Sequence, residues 1–597
     1  MTPVPLRVWA PRAAEVLVET TPPGGEPVAR PMARLKGGWW EWTPAEAGPL
    51  DYAFRLDGGP PRPDPRSPWQ PYGVHGPSRT YDPGAHDWHD AGWTGTRGGR
   101  GVLGGVVYEL HVGTFTEAGT LDAATEHLSH LSALGVDLVE VMPVAAFGGT
   151  HGWGYDGVAP YAVQQAYGGP AAFQRFVDAC HVAGLGICLD VVYNHLGPTG
   201  NYLAQFGPYF DAAHDTPWGP AVNLDGPDSH EVRRWVIDNA LRWLRDFHVD
   251  ALRLDAVHAL RDDSPRHVLA ELSDEVAALA TQLCRPLDLV AESDLNDPVL
   301  VTPTGRGGLG MTAQWDDDVH HALHVALTGE TGGYYADFAG GTAAWPDGGP
   351  LSVLAKTLAE VFLHDGRMST FRGRRWGRPV DRAGVSGHRF VAYLQTHDQV
   401  GNRATGDRIS DTITAGQQAI GAALYLLSPY TAMVFMGEEW RASTPFRYFT
   451  SFEEDWLAQA VRSGRRREFA AHGWTAAVPD PQDPATRTAC LLRWDEVSAA
   501  GHAAMLAFYR RLVRLRRSEP DFASGDLTRL AVRFHETQQW LVMHRGRGAV
   551  AANLAPEPRH VPVPAGVAEV LASWGELRTE VGGIRLGGHS VAVVRTP

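Results

Sequence analysis

A chain of 597 residues is too long for a single core, and its length suggests three or four domains. It is 44% hydrophobic and 20% charged, an ordinary globular composition, and its net charge of −16 comes with no basic run long enough to follow a phosphate backbone, which argues against nucleic acid. No apolar stretch reaches the roughly 18 residues that a membrane span needs, and with Lys36 and Lys356 as the only lysines, Schiff-base chemistry has almost no candidate.

Taken in order, residues 1–88 alternate short β-like runs ("LRVWA", "EVLVE", "WWEWT", "DYAFRL") with Gly/Pro turns, the pattern of a β-sandwich. The Pro-rich stretch from Pro60 to Pro83 reads as its exit and linker. From Val106 the period changes. "VVYEL" reads as a strand, 122–134 as a helix with Gly135 as its C-cap, and "VDLVEVMPV" as the next strand. The unit repeats with a helix over 171–183 and the strand "ICLDVVY". It repeats again with a helix capped at Asp228 or Ser229, whose Val232, Trp235, Val236 and Trp243 share a face, and then with "ALRLDAVHAL". Further strands are predicted at "DLVAES", "MTAQW", "FVAYLQ" and "TAMVFM", and a last helix over 503–517. Eight βα units predict a (β/α)8 barrel over 89–520, and the return of short strands from about 521 predicts a C-terminal β-sandwich.

Four scattered cysteines suggest neither a disulfide framework nor a zinc site, and "MTPVPLRVWAPR" lacks the basic and apolar regions of a signal peptide. A reducing cytoplasm, a monomer and no cofactor or metal are expected.

In "ALRLDAVHAL", Arg253 and Asp255 lie two residues apart on a strand, hence on one face. A charge is buried only if it is paired or has work to do. Barrel active sites form at the C-terminal ends of the strands. There the third strand offers Asp190, Asn194 and His195, the fourth Asp255, the fifth Glu292 and the seventh Asp398. Each acid alone is readily explained as an ion pair or a helix cap. Together they offer the carboxylate pair that glycosidic cleavage needs, with Arg253 holding Asp255 ionised.

"DVVYNH", "LRLDAVH", "AES" and "THD" resemble, in this order, the four short motifs of the α-amylase superfamily of retaining α-glucan enzymes. The resemblance implies Asp255 as nucleophile, Glu292 as general acid/base and Asp398 as transition-state stabiliser. It implies that Arg253, His195 and His397 position the sugar whose bond is cut and that Tyr155 in "GWGYD" stacks under it. Where similar amylases carry a Lys-His pair after the nucleophile, this chain has His258 and Ala259, which implies a different leaving group. Thr396 also departs from the asparagine usual before His-Asp. "TPWGPAVNLDGP", "QWDDDVHHAL", "THDQVGNRATGDR" and "GEEWRASTPFRYFT" resemble the branch whose members release free trehalose from maltooligosyl-trehalose. That implies Trp218 and His258 on the leaving-group side, with Asp316, Asp317, Asp318, His320, His321, Gln399 and Asn402 as candidate substrate contacts. Glu438 and Glu439 read as structural. Glu292 is expected to have its pKa raised by the two neighbouring carboxylates.

Three alternatives remain at this stage: a branching enzyme with the same module, barrel and triad, a metal-dependent barrel hydrolase built on some of the 26 histidines, and a catalytically inactive glucan-binding protein.

Overall fold

The computed structural model describes residues 4–21, 25–46, 48–96, 99–216, 218–471 and 478–597. Met1–Pro3 of the N-terminal stretch and Pro217 of "TPWG" therefore lie outside the described residues.

The centre of the molecule is a closed parallel barrel. Its strands are β1 (Val106–Leu110), β2 (Leu138–Val141), β3 (Gly186–Val191), β4 (Ala251–Leu254), β5 (Asp288–Ala291), β6 (Ala313–Trp315), β7 (Phe390–Tyr393) and β8 (Thr431–Phe435). They pair in chain order, and β8 returns to β1 with Ala432 opposite Val106. Apolar residues of one parity (Val107, Leu138, Ala251, Val290, Val391) fill the barrel interior. Those of the other parity, such as Leu252 and Leu254, join the large core under the helices. This two-sided burial is why the strands read as near-continuous apolar runs.

The helix over 122–134 is observed in three pieces: Leu121–Ala124, a 3-10 turn at Thr125–His127, and α1 (Leu128–Leu134), closed by Gly135 at φ 98 as predicted. Next come α2 (Gly169–Val182), α3 (Ser229–Asp246) and α4 (Val268–Leu283). Of the two suggested caps of α3, Asp228 takes the N-cap position, but at φ 59 and without a side-chain cap bond. The expectation of eight βα units needs one correction. Among the described residues β5 and β6 are joined without an α-helix, only a 3-10 turn at Thr304–Arg306. α5 (Asp317–Thr328) and α6 (Pro350–Glu360) follow β6, α7 (Ala415–Leu426) follows β7, and α8 (Ala500–Ser518) packs outside β8.

The N-terminal module has a three-stranded and a four-stranded sheet, which include all four predicted strand runs. The Pro-rich stretch is not a free linker: within it Ser78–Arg79 pairs back onto Asp51–Tyr52, and Pro65 accepts from the Trp235 indole of α3. The C-terminal domain has a five-stranded sheet and a three-stranded one. Its buried Arg545 donates to the carbonyls of Leu427 and Ser428 at the base of the barrel, at 2.8 and 2.7 Å. Among the described residues no helix is long and apolar enough to cross a membrane.

Candidate active site

Above its apolar floor the barrel interior is lined by charge. Glu109 of β1 stands opposite Glu140 of β2, and Asp190 of β3 opposite Arg253 of β4. Arg253 is fully buried. Its Nη1 donates to both carboxylate oxygens of Asp190 at 2.9 Å and to Asp255 Oδ1 at 2.8 Å, while the guanidinium lies 4.3 Å over the Trp315 ring. The shared face of Arg253 and Asp255 is thus the barrel interior. Burial pushes the Asp190 carboxyl up to about 6, against the pull of Arg253. Tyr155 donates to Asp190 Oδ2 at 2.6 Å, and its ring stacks on His397 with centroids 5.0 Å apart.

Asp255 follows the last residue of β4, and its N–H donates to Val191 of β3 at 3.0 Å. The Asn194 amide donates to Asp255 Oδ2 and to its carbonyl, both at 2.8 Å. One carboxylate therefore receives both a guanidinium and an amide. The next residue, Ala256, is forced to φ 40, strain of the kind found at functional sites. That conformation aims its N–H at Glu292 Oε2, 2.5 Å away.

Glu292 follows β5, and its Oε2 lies 3.7 Å from Arg253 Nη2. Its carboxyl is pushed up to about 8. Burial is the leading cause, Arg253 opposes it, and Asp255 and Asp398 add to it. The expected direction is present, but the neighbouring carboxylates are not its main cause.

Asp398 sits in a short helix, His397–Gly401, whose N-cap is Thr396. Thr396 Oγ1 accepts from the Asp398 N–H at 3.2 Å. Threonine caps well here, so the departure from asparagine is structurally satisfied. His397 Nε2 is 3.5 Å from Asp398 Oδ1, and Asn402 Nδ2 donates to the same oxygen at 3.4 Å. His195, held by the Tyr155 carbonyl, stacks on the half-exposed Trp218 with centroids 5.2 Å apart.

Beside Asp398 opens a cavity of about 240 Å³ whose wall includes Asp317, His321, Gln399 and Asn402. The run 316–321 begins a helix rather than a strand, which redistributes its side chains. Asp317 and His321, four apart, share the cavity face. Asp318 reaches the wall, but its Oδ2 accepts from Asn296 and from the Leu363 and His364 N–H groups. Two predicted contacts need correction. Asp316 is fully buried as the N-cap of α5, accepting from Val319, and His320 is buried against Tyr393 and His324, away from this cavity. His258 lies beside the same cavity, its Nδ1 3.8 Å from Oδ1 of Asp294 on the cavity wall. Buried Glu438 accepts from Tyr425 and Tyr509, and Glu439 from Tyr108 and His130, bonds that tie the end of β8 to α7, α8, β1 and α1.

Sequence reasoning missed two groups. Glu109 and Glu140 were legible: each is a charge in an apolar strand with interior parity, the signal that singled out Arg253. The loop residues Asp294, Tyr334, Phe371 and Arg372 on the cavity wall carry no periodic signal. Arg372 donates to Asp294 Oδ2 at 2.7 Å across 78 positions of sequence. Among the described residues no group of three or more His, Cys, Asp or Glu is arranged to hold a metal ion.

The family model "Alpha amylase, catalytic domain" matches residues 93–211, and "Domain of unknown function (DUF3459)" matches 525–593. A malto-oligosyltrehalose trehalohydrolase of Mycobacterium tuberculosis is 50% identical over 595 residues, covering 99% of this chain and 98% of the relative. A protein of the same name from Saccharolobus solfataricus is 43% identical over 78% of this chain and 77% of its own. A 1,4-alpha-glucan branching enzyme of Corynebacterium jeikeium is 30% identical over 52% of this chain and 48% of its own. Among solved structures, a putative alpha amylase from Salmonella typhimurium superposes with a TM-score of 0.89 at 38% identity, covering 100% of this chain and 98% of that one. A pullulanase from Anoxybacillus sp. shares the fold, with a TM-score of 0.72 at 17% identity over 100% of this chain and 87% of its own. Barrel, strand-end carboxylates and near-full-length identity agree: the chain is a glycoside hydrolase and belongs to the malto-oligosyltrehalose trehalohydrolase family.

Proposed function

We propose that the chain hydrolyses the α-1,4-glucosidic bond next to the terminal trehalose of maltooligosyl-trehalose, with retention, releasing trehalose and a maltooligosaccharide. Asp255 attacks the anomeric carbon while Glu292 gives its proton to the departing trehalose oxygen, leaving a glycosyl ester on Asp255. Glu292, now ionised, takes a proton from water, whose oxygen attacks the same carbon and frees Asp255. Asp398 stabilises the oxocarbenium-like charge that develops in between. Tyr155, Asn194, His195, Arg253 and His397 hold the sugar being cut, with Asp190 bracing Arg253. Asp317, Gln399, Asn402, Trp218 and His258 line the leaving-group side.

One observation supports this reading above the others. Two carboxyl groups meet the same arginine in different environments: Asp255 is hydrogen-bonded by Arg253 and Asn194, and Glu292 is held protonated up to about 8 by burial. That division suits a nucleophile and an acid. The near-full-length relatives named for trehalose release support the leaving group. We read the two β-domains, bounded near residues 88 and 520, as braces, and the chain as a monomer in a reducing compartment.

The test is product analysis after incubation with maltotetraosyl-trehalose beside a plain maltooligosaccharide of equal length. Free trehalose from the first is expected; α-1,6 branches with no trehalose would establish the branching reading instead.

A further inference from the structure

Glu109, near the C-terminal end of β1, has no part in the reaction written above, yet it is completely buried directly beneath the site. Its Oε2 accepts the backbone N–H of His397 at 3.0 Å, and its Oε1 lies 2.5 Å from His397 Nδ1. An ionised carboxylate only accepts, so Nδ1 must carry hydrogen. On the far side of the ring, Nε2 faces a second acceptor, Asp398 Oδ1, at 3.5 Å. Tyr155 stacks on one face of the ring, and the Trp153 indole meets it edge-on at 5.7 Å.

We propose that Glu109 is a positioning residue: from below the site it locks His397 as an imidazolium and aims its Nε2–H at Asp398 and at the sugar above. The part of this inference that concerns the sugar rests on the proposed function. The groups facing the ring account for the balance. Glu109 from β1 and Asp398 from its own helix favour the cation, as does Asp190 of β3, whereas Glu140 of β2, kept protonated up to about 8 by burial, adds little charge. Arg253 of β4 opposes it, and His111, itself kept neutral by burial, adds no charge. Burial disfavours the imidazolium, but Glu109 and Asp398 outweigh it and push His397 up to about 9. The gain for chemistry is a second cation beside a site that gathers Asp255, Glu292 and Asp398. A charged donor also grips a sugar hydroxyl more tightly than a neutral one.

The test is Glu109→Gln, which keeps the shape and one acceptor but removes the charge. In the full-length protein carrying ring-labelled histidine, the His397 signal is assigned by its loss in His397→Asn and followed by NMR through pH 5–10. The expected result is an imidazolium at pH 7.5 in the unsubstituted protein and a neutral ring at pH 7.5 in Glu109→Gln. With maltotetraosyl-trehalose, kcat/KM of the variant should fall about tenfold to a hundredfold at pH 7.5, the effect of losing one charge-assisted hydrogen bond. Most of that loss should be regained at pH 5.5. A neutral His397 at pH 7.5 in the unsubstituted protein would overturn the proposal even if the variant failed to fold. So would an unshifted titration in the variant, or a loss of activity equal at both pH values, which is what a merely structural role gives. Failure of the proposed function would show elsewhere, as missing trehalose, and leaves the NMR titration intact.

Discussion

In the proposed reaction, Glu292 and Asp255 give one chemical group, the carboxyl, two roles through its surroundings. Burial raises the Glu292 carboxyl to about 8, so the acid form persists through neutral pH and is lost as pH rises past that value. The kcat/KM profile should therefore have a basic limb near pH 8. Glu292→Gln, which cannot titrate, should lower kcat by about three orders of magnitude or more and abolish that limb. A variant with near-normal turnover, or one that keeps the limb, would remove Glu292 from its role. Arg253 carries the complementary burden, since it is fully buried between Asp190 and Asp255. Arg253→Leu leaves those carboxylates without their cation and should cost about 3–5 kcal/mol, read as a lower urea midpoint. At this scale the sequence was legible wherever strand parity applied. It placed Arg253 beside Asp255 and would have placed Glu109 by the same rule.

The elements supply the geometry that single residues cannot. The loop after β2 brings Tyr155 under the site, and it does so through Gly154 at φ 99, where a Cβ would stand 2.2 Å from the Pro143 carbonyl oxygen. Gly154→Ala should therefore displace Tyr155, lower kcat/KM at least about tenfold, and destabilise the fold by about 1–3 kcal/mol. Unchanged kinetics would show that the loop yields without moving Tyr155. Element type also decided which acids face the cavity. Read as an extended run, "QWDDDVHHAL" could present only alternate residues. As the start of α5 it presents Asp317 and His321, uses Asp316 as a cap and spends Asp318 on backbone N–H groups. Strands and long amphipathic helices were readable because period and caps are local. The missing helix between β5 and β6 was not, because a barrel closes by strand pairing whatever the connection.

Across the whole molecule, buried titratable groups set the response to pH. Burial raises Glu140, Glu292 and Glu438 from 4.5 to about 8. His364 and His397 rise from 6.5 to about 9 because carboxylates outweigh their burial. Between pH 7 and 9 the folded protein thus holds protons that the unfolded chain has released, so stability falls as pH rises. Each proton so retained contributes a slope of about 1.4 kcal/mol per pH unit. The buried histidines pulled down to about 3, His111, His321 and His388, act only below about 6.5, where the unfolded chain takes up protons, and do not offset this. The urea midpoint should be lower at pH 9 than at pH 7; a rise would contradict the assignment of these groups.

The sequence by itself determined the barrel between two β-domains, the strand ends that carry Asp190, Asp255, Glu292 and Asp398, and the shared face of Arg253 and Asp255. These follow from hydrophobic period and from short motifs, which are properties of neighbouring residues. Only the tertiary structure decided that β5 passes to β6 without a helix, that Asp316 and His320 turn away from the cavity, and that Arg372 meets Asp294. It alone brought Glu109 beneath His397 across 288 positions of sequence. Such contacts depend on how the barrel closes, and the burial that separates Glu292 from Asp255 exists only once it has closed.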